Sequence, residues 1–542
     1  MAPKLPEVAQ PHVVIIGSGV GGLTMAIELK RKGHENFTIV EKASDVGGTW
    51  RDNIYPGCSS DVCIHMYSLS TELRPDWTHT HAFQPTIQVY WRELFDKHGL
   101  ASHTLFNRKV VAAAWDIASQ SYTVESVDAS TGAACAPITA AVLVSAVGLL
   151  EIPRFPKIDG RESFKGESFH SARWEYGIDL RGKKVAVIGS GASATQFVPR
   201  ISEDPTVQVT QYCRSPSWIF PPIREEYSSL HKFLLRYVPG WLRLYRNLHF
   251  LWTEVLYLAI FSNKFTNGVL QSYLRSYMRK VAPAEYADKI IPTEPDFRLG
   301  CKRIVYDTNY LPSLARSNMK LDFDPIQRIT EDGIVTSDGL QKHDVIIYST
   351  GYITDTYAIP VHGTSGLTVK QYFKEHEGPT AYLGTAIPGF PNFFTLAGAN
   401  TATGHTSLLY AMEVQVAYLL QLLDPLFAGK ITSVEPTTSA ADAYNEKVQS
   451  RLSKFIWARC QSWYRVGNVG KIHGLFPGSM TLFWWWLRKP NWKHYLVVKA
   501  GGVRAEAGKW KPERKWRKSL VVGLLTVAAA AAVLTQSSLV RR

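Results

Sequence analysis

The stretch Val13-Val-Ile-Ile16-Gly17-Ser-Gly19-Val-Gly-Gly22 sets an apolar strand against a glycine-rich turn, followed by a helix-like run from Leu23 to Leu29 that stops at Gly33. Strand, tight turn and helix in that order open a dinucleotide-binding βαβ unit. Gly17 permits the turn, Gly19 lets the backbone approach a pyrophosphate, and Gly22 lets the helix pack close to the strand, with its N-terminus facing the phosphates. A second apolar run, Phe37-Thr-Ile-Val40, ends in Glu41, where such folds place the carboxylate that binds a ribose hydroxyl.

A second unit begins at Lys183-Lys-Val-Ala-Val-Ile188 and continues Gly189-Ser190-Gly191-Ala-Ser-Ala194, with Ala194 in the third glycine position. Its second strand, Val207 to Tyr212, ends at Cys213-Arg214-Ser215 instead of an acid. Guanidinium binds phosphate bidentately where a carboxylate would repel it, so Arg214 predicts a 2′-phosphate, and NADPH over NADH. Two such units predict an α/β chain with two Rossmann-like dinucleotide-binding domains, one for a flavin and one for a nicotinamide.

The chain is large enough for two or three domains, with 542 residues of which 45% are hydrophobic. It carries a net charge of +14, and much of the basic excess falls between Arg488 and Lys518. No nucleic-acid motif accompanies that charge, so it reads as membrane-surface charge. Ser519 to Val540 has no charged residue and is flanked by Arg517-Lys518 and Arg541-Arg542. Its 22 residues suffice to cross about 30 Å of hydrocarbon, predicting a single-pass C-terminal anchor helix (519–540) after a basic juxtamembrane segment (488–518), with the catalytic body in the cytosol. An alanine run and a polar last turn leave an interfacial helix as the alternative. The N-terminus has no signal-peptide pattern. Cysteines 58, 63, 135, 213, 301 and 460 show neither a disulfide framework nor paired zinc spacing, so no disulfide and no metal is expected. The aromatic stretch Leu230 to Phe261 is interrupted by Lys232, Arg236, Arg243, Arg246 and Glu254; it predicts a helical insertion over the active site, not a span.

Between the two fingerprints lies Phe164-Lys-Gly166-Glu-Ser-Phe-His170-Ser-Ala-Arg-Trp174. It resembles the signature of type I Baeyer–Villiger monooxygenases, F-x-G-x-x-x-H-x-x-x-W, usually followed by Pro or Asp where this chain has Glu175. Gly47-Gly48-Thr49-Trp50-Arg51-Asp52-Asn-Ile-Tyr55-Pro56-Gly57-Cys-Ser59-Ser60-Asp61 is similar to a second pattern of that family at every specified position. The resemblance implies that Gly48, Thr49, Trp50, Arg51 and Asp52 run beside FAD, that Asp61 lies near flavin and nicotinamide, that Tyr67 also contacts FAD, and that Ser59 and Ser60 face NADP. On residues alone, Asp61 reads as a turn or cap residue. The run Leu299-Gly300-Cys301-Lys302-Arg303 resembles the family's G-x-K-R segment. By resemblance Arg303 stabilises the flavin peroxide and the transition state, and Lys302 neighbours the NADP phosphate; on spacing alone Arg303 could equally be a surface arginine. Asn392 to Thr401, containing Asn400, resembles the closing FAD segment, while Ser145 to Gly148 and Thr350-Gly351-Tyr352 resemble the turns between domains.

The implied layout is a discontinuous FAD domain (1–160 and 356–487) interrupted by an NADP domain (161–355) that carries a helical insertion at about 222–295. The implied activity consumes NADPH and O2 and inserts oxygen beside the carbonyl of a small hydrophobic ketone through a flavin C4a-peroxide, giving an ester or lactone. A polyketide, terpenoid, steroid or long-chain ketone of secondary metabolism would suit a membrane-associated enzyme. Three other readings stand beside it. A flavin-containing N- or S-monooxygenase normally has Phe or Tyr where this chain has Trp174. A pyridine-nucleotide disulfide reductase is suggested by Cys58 and Cys63, although its first cysteine would occupy the position of Trp50. The last is a catalytically inactive, membrane-tethered nucleotide-binding scaffold.

Overall fold

Parallel strands covered by helices on both faces have no solvent side, so their sequences are continuous apolar runs and not alternating ones. In the computed structural model, which describes residues 10–292, 298–502, 504–505 and 510, such runs form the centres of two sheets. Strand β1 (Val13–Ile16) leads into helix α1 (Val20–Arg31) and strand β2 (Phe37–Val40), followed by β3 (Thr104–Leu105) and β4 (Val142–Ser145). Next come β5 (Glu167–His170), β6 (Lys184–Ile188), helix α2 (Ala192–Ile201) and β7 (Gln208–Tyr212). Helices α3 (Ser229–Tyr237), α4 (Trp241–Tyr257) and α5 (Lys264–Val281) precede β8 (Met319–Asp322) and β9 (Val345–Tyr348). The chain continues through β10 (Phe393–Thr395), α6 (Leu408–Phe427) and α7 (Met480–Leu487).

The first sheet has the order β10-β4-β1-β2-β3 with every pairing parallel. Its register sets Val13 between Phe37 and Val142, and the whole of β1 is buried. The strand β10 comes from a distant part of the chain. The second sheet, β8-β7-β6-β9-β5, is also parallel and drawn from one continuous stretch. Helix α6 is apolar nearly all round because it lies between the first sheet's helix α1 and the C-terminal elements, and one apolar cluster runs through both units.

The Leu230 to Phe261 stretch is helical, and α4 joins α5 through a π-turn at Leu258–Ser262. Two of the charges that interrupt it in sequence, Arg246 and Glu254, point inward, while Arg236 and Arg243 stay exposed. Arg246 is buried, donates to the carbonyls of His65 and Ser68, and lies 3.2 Å from Glu413 on α6. Glu254 accepts hydrogen bonds from His405 (3.2 Å) and from the Met480 (2.9 Å) and Thr481 (3.1 Å) backbone N–H groups at the start of α7.

One expectation is corrected. Cys301 and Cys460 form a disulfide with their Cα atoms 5.5 Å apart, although 159 residues separate them in sequence. Neither cysteine has a partner at a recognisable spacing, so only the fold brings them together. The expected anchor, 519–540, lies outside the described residues; among the described residues no helix is long and apolar enough to cross a membrane.

Candidate active site

The first cradle consists of two glycine stretches set back to back. A Cβ on Gly22 would stand 1.9 Å from the Gly17 carbonyl oxygen, and a Cβ on Gly48 would stand 2.9 Å from the Gly19 Cα. Both positions need bare backbone, and the Gly47 N–H donates to the Ser18 carbonyl at 3.1 Å. Glu41 sits buried beneath the loop and accepts from Ser18 N (2.7 Å), Ser18 Oγ (2.9 Å) and Ala43 N (2.9 Å). Thr49 to Asp52 make one helical turn. From it Trp50 Nε1 donates to the Tyr67 hydroxyl at 3.0 Å, and burial raises that phenol to about 12, so it stays protonated. Arg51 grips Asp52 and lies 3.5 Å from Glu41, while Arg173 reaches Asp52 at 3.4 Å from the signature run. Asn400 is buried with its amide donating to the Ile472 and Leu475 carbonyls, both at 2.9 Å, so it ties its own segment to the C-terminal stretch at 472–475.

In the second unit β6 turns through Gly189 and Ser190 to Gly191, the residue that precedes α2, and the fully buried Ala194 faces into the core. Past the end of β7, Arg214 is exposed beside Ser215. Ser190 Oγ donates to the Ser215 carbonyl at 3.3 Å, and the Lys302 ammonium donates to Ser215 Oγ at 2.5 Å and to the Pro216 carbonyl at 3.3 Å. Burial, and then the nearby Arg214 cation, lower Lys302 to about 8. A lysine whose charge is disfavoured beside the Arg214 cation makes a place for an anion.

Between the cradles the loop at Tyr55 to Asp61 is held by Gln196 of α2. Its amide oxygen accepts from the Tyr55 hydroxyl (3.0 Å) and Ser59 N (3.3 Å), and its amide nitrogen donates to the Ser59 carbonyl (3.1 Å). Among the described residues the buried Ser59 hydroxyl has no partner, whereas Ser60 Oγ is engaged with its own turn at Val62. Asp61 then meets Arg303 bidentately, with Nε at 2.8 Å and Nη2 at 2.7 Å. The arginine side chain is 38% exposed, so it lines the cleft and is not sealed in the core. Asp61 raises its already high pKa, and its cation persists at any working pH. Cys58 and Cys63 are free, buried thiols pushed up by burial to about 12 and about 11.

The signature run crosses the joint. A Cβ on Gly166 would come within 2.5 Å of the Asp344 carbonyl oxygen, so β5 can approach β9 only there without a side chain. His170 accepts from Ala172 N at 3.1 Å, and burial lowers it to about 4. Trp174 is buried against Phe169 and against Phe197 of α2. The flavin-binding monooxygenase-like family model matches residues 10–243. A Baeyer–Villiger monooxygenase of Pseudomonas aeruginosa is 37% identical over 479 residues, 87% of this chain and 88% of that protein. This chain belongs to the Baeyer–Villiger monooxygenase family.

The FAD-binding monooxygenase ktnD of Aspergillus niger is 35% identical, covering 92% of this chain and 83% of ktnD. A crystal structure of OTEMO in complex with FAD and NADP matches with a TM-score of 0.79 at 27% identity, over 90% of this chain and 99% of that one. Cyclohexanone monooxygenase from Rhodococcus sp. Phi1 bound to NADP+ matches with 0.77 at 26%, over 88% and 96%.

In this Baeyer–Villiger monooxygenase several residues around Arg303 carry no sequence signal. Trp457 Nε1 donates to the Gly300 carbonyl at 2.8 Å, and the Cys301–Cys460 disulfide ties the next residue to the same C-terminal segment. Burial raises the phenols of Tyr306 and Tyr464 to about 12 beside the Arg303–Asp61 pair. Gln196 is equally silent, since a glutamine inside a helix has many uses; only its place in the turn after Ala194 hinted at a site.

Proposed function

We propose that this flavoprotein inserts one oxygen atom of O2 beside the carbonyl of a small hydrophobic ketone, forming an ester or lactone while NADPH is oxidised. FAD and NADPH are its cofactors, and FAD, once bound and reduced, supplies the oxygen-activating chemistry. The carrying observation is the Arg303–Asp61 pair, a fixed cation on the cleft between the two nucleotide cradles.

Arg303 supports a role at the substrate carbonyl, whose oxygen gains negative charge when attacked. A preorganised donor in a water-poor site contributes about 3 to 4 kcal/mol there. Asp61 orients that guanidinium. Lys302, Arg214 and Ser215 suit the 2′-phosphate of NADPH, with Ser190 behind them, and the orphaned Ser59 hydroxyl suits a nicotinamide-side donor or acceptor. Gly17, Gly19, Gly22 and Gly48 suit the FAD pyrophosphate, Glu41 its ribose, and Trp50 with Tyr67 a wall of the flavin site. The uncharged run 519–540 behind its basic segment supports a membrane tether with the body on the cytosolic side.

Purified protein tests the reading. It should be yellow and take up oxygen with NADPH and ketone together, and the ketone should gain one oxygen as ester or lactone. Oxidation of sulfides and amines with no ketone in a broad panel converted would overturn the assignment.

A further inference from the structure

Helix α4 is amphipathic in the opposite sense from an ordinary surface helix, which turns its apolar stripe to the core. Its inward face carries Arg246, Thr253, Glu254 and Tyr257, held by Glu413, Thr406, His405 and the start of α7. Its outward face carries Leu244, Trp252 and Val255, continued by Leu258 at the start of the π-turn, all exposed. These positions fall within one arc at 3.6 residues per turn. Helix α5 repeats the inversion in its first two turns, before Leu274 and Met278 enter the core. Asn267 and Gln271 are buried and bonded to each other, whereas Phe265, Val269 and Tyr273, spaced four apart, are exposed, Phe265 at 78%. On α3, Leu230, Phe233 and Tyr237 are exposed in the same way. Helix α7, whose first turn is held by Glu254, adds exposed Trp484 and Trp485.

A surface this apolar on a folded protein marks a partner. Charge decides which. From Ser229 to Val281 the sole acid is Glu254, which points inward, while Arg236, Arg243, Lys264 and Lys280 are exposed; Arg279 is paired at 3.2 Å with Asp288 beyond that stretch. A second copy docked symmetrically would set this basic surface against itself. Aromatic and aliphatic side chains ringed by Lys and Arg instead match the interface of an anionic bilayer. We infer that helices α3, α4 and α5, with the tryptophans of α7, form an interfacial surface that lies on an anionic lipid leaflet. The surface adjoins the site: Phe261, in the π-turn, packs at a tilt against Trp457, which holds Gly300 three residues before Arg303. A ketone dissolved in the leaflet would therefore reach the cleft from the lipid side.

This inference is independent of the C-terminal tether, and the test keeps them apart by reading depth at the helices themselves. Full-length protein with Cys135→Ser carries a nitroxide at Phe265→Cys or, as a control on the β-rich side, at the exposed Ile117→Cys. Flavin absorbance verifies that both variants are folded. Vesicles of phosphatidylcholine with phosphatidylserine should abolish the access of an aqueous nickel chelate to the label at 265 and raise its access to oxygen. The label at 117 should not change. Adding Trp252→Glu and Val255→Glu should return the 265 label to water even if the tail keeps the protein on the vesicle. Unchanged nickel access at 265 in the presence of vesicles would overturn the inference. So would immobilisation of that label with rising protein concentration in the absence of lipid, which would assign the face to a second copy.

Discussion

Arg303 and Asp61, 242 positions apart in sequence, face each other through two parallel hydrogen bonds of 2.8 and 2.7 Å. The guanidinium is thereby fixed in direction as well as charge. Asp61→Asn should leave the cation but loosen its aim, and Arg303→Ala should remove it. Both variants should retain FAD absorbance. Ester formation should fall by roughly 100-fold or more with Arg303→Ala, the usual effect of losing one oxyanion-type donor. Hydrogen peroxide should account for most of the NADPH still oxidised. Tightly coupled ester formation by Arg303→Ala would return that residue to a structural role.

Lys302 sets a pH dependence on coenzyme binding. Its pKa in the ligand-free protein is lowered to about 8, so the ammonium is lost as pH rises through that value. A bound 2′-phosphate favours the charged form. The KM for NADPH should therefore be flat below about pH 8 and climb above it, by up to about tenfold per pH unit. NADH, lacking that phosphate, should show little of the rise. Lys302→Arg should flatten the NADPH profile, and Arg214→Ala should raise the KM for NADPH more than that for NADH. Steady-state titrations on both sides of pH 8 decide it.

Burial keeps Cys58 and Cys63 as thiols, at about 12 and about 11. Replacing both with serine should leave NADPH-dependent bleaching of the flavin intact in anaerobic stopped flow. Lost bleaching with FAD still bound would instead make the pair part of electron transfer.

The inward pair Arg246–Glu413 is a stability feature. Its side chains are only 7% and 16% exposed. Arg246→Met would strand the buried carboxylate and should cost about 3 to 5 kcal/mol. Adding Glu413→Leu should recover the part due to the stranded charge, but not the part due to the His65 and Ser68 carbonyls and the Ser70 N–H that lose their partners. Thermal unfolding followed by flavin fluorescence would show both effects.

Much of the fold is legible because the first and second nucleotide units announce themselves locally. Val13 to Ile16 and Val185 to Ile188 are apolar without interruption, and the glycines follow at once. Asp61 and Arg303 are legible only through long motifs, because a lone aspartate in a serine-rich loop is usually a turn residue. The contacts that position them are not legible at all. Gln196, Trp457 and the Cys301–Cys460 bond act across long sequence gaps, where no spacing rule applies. The insertion misleads in a subtler way. Arg246 and Glu254 look like solvated breaks in an apolar helix, yet they are its attachment to the body, and Leu244 and Leu258 face out.

The strand order of the first sheet also sets a timetable. The outer neighbour of Val142–Ser145 is Phe393–Thr395, so 393 minus 145, or 248, residues must be synthesised before that edge is covered. At ordinary translation rates the interval is roughly 12 to 50 s. Through that time the half-built sheet offers an open edge to any passing strand. The nicotinamide unit, whose last strand ends at Tyr348, is complete while the flavin unit is still waiting. Flavin capture therefore falls late in the life of the nascent chain. Slowing aggregation of that interim species, by cooler growth or by chaperones, should raise the yield of yellow protein more than supplying extra FAD.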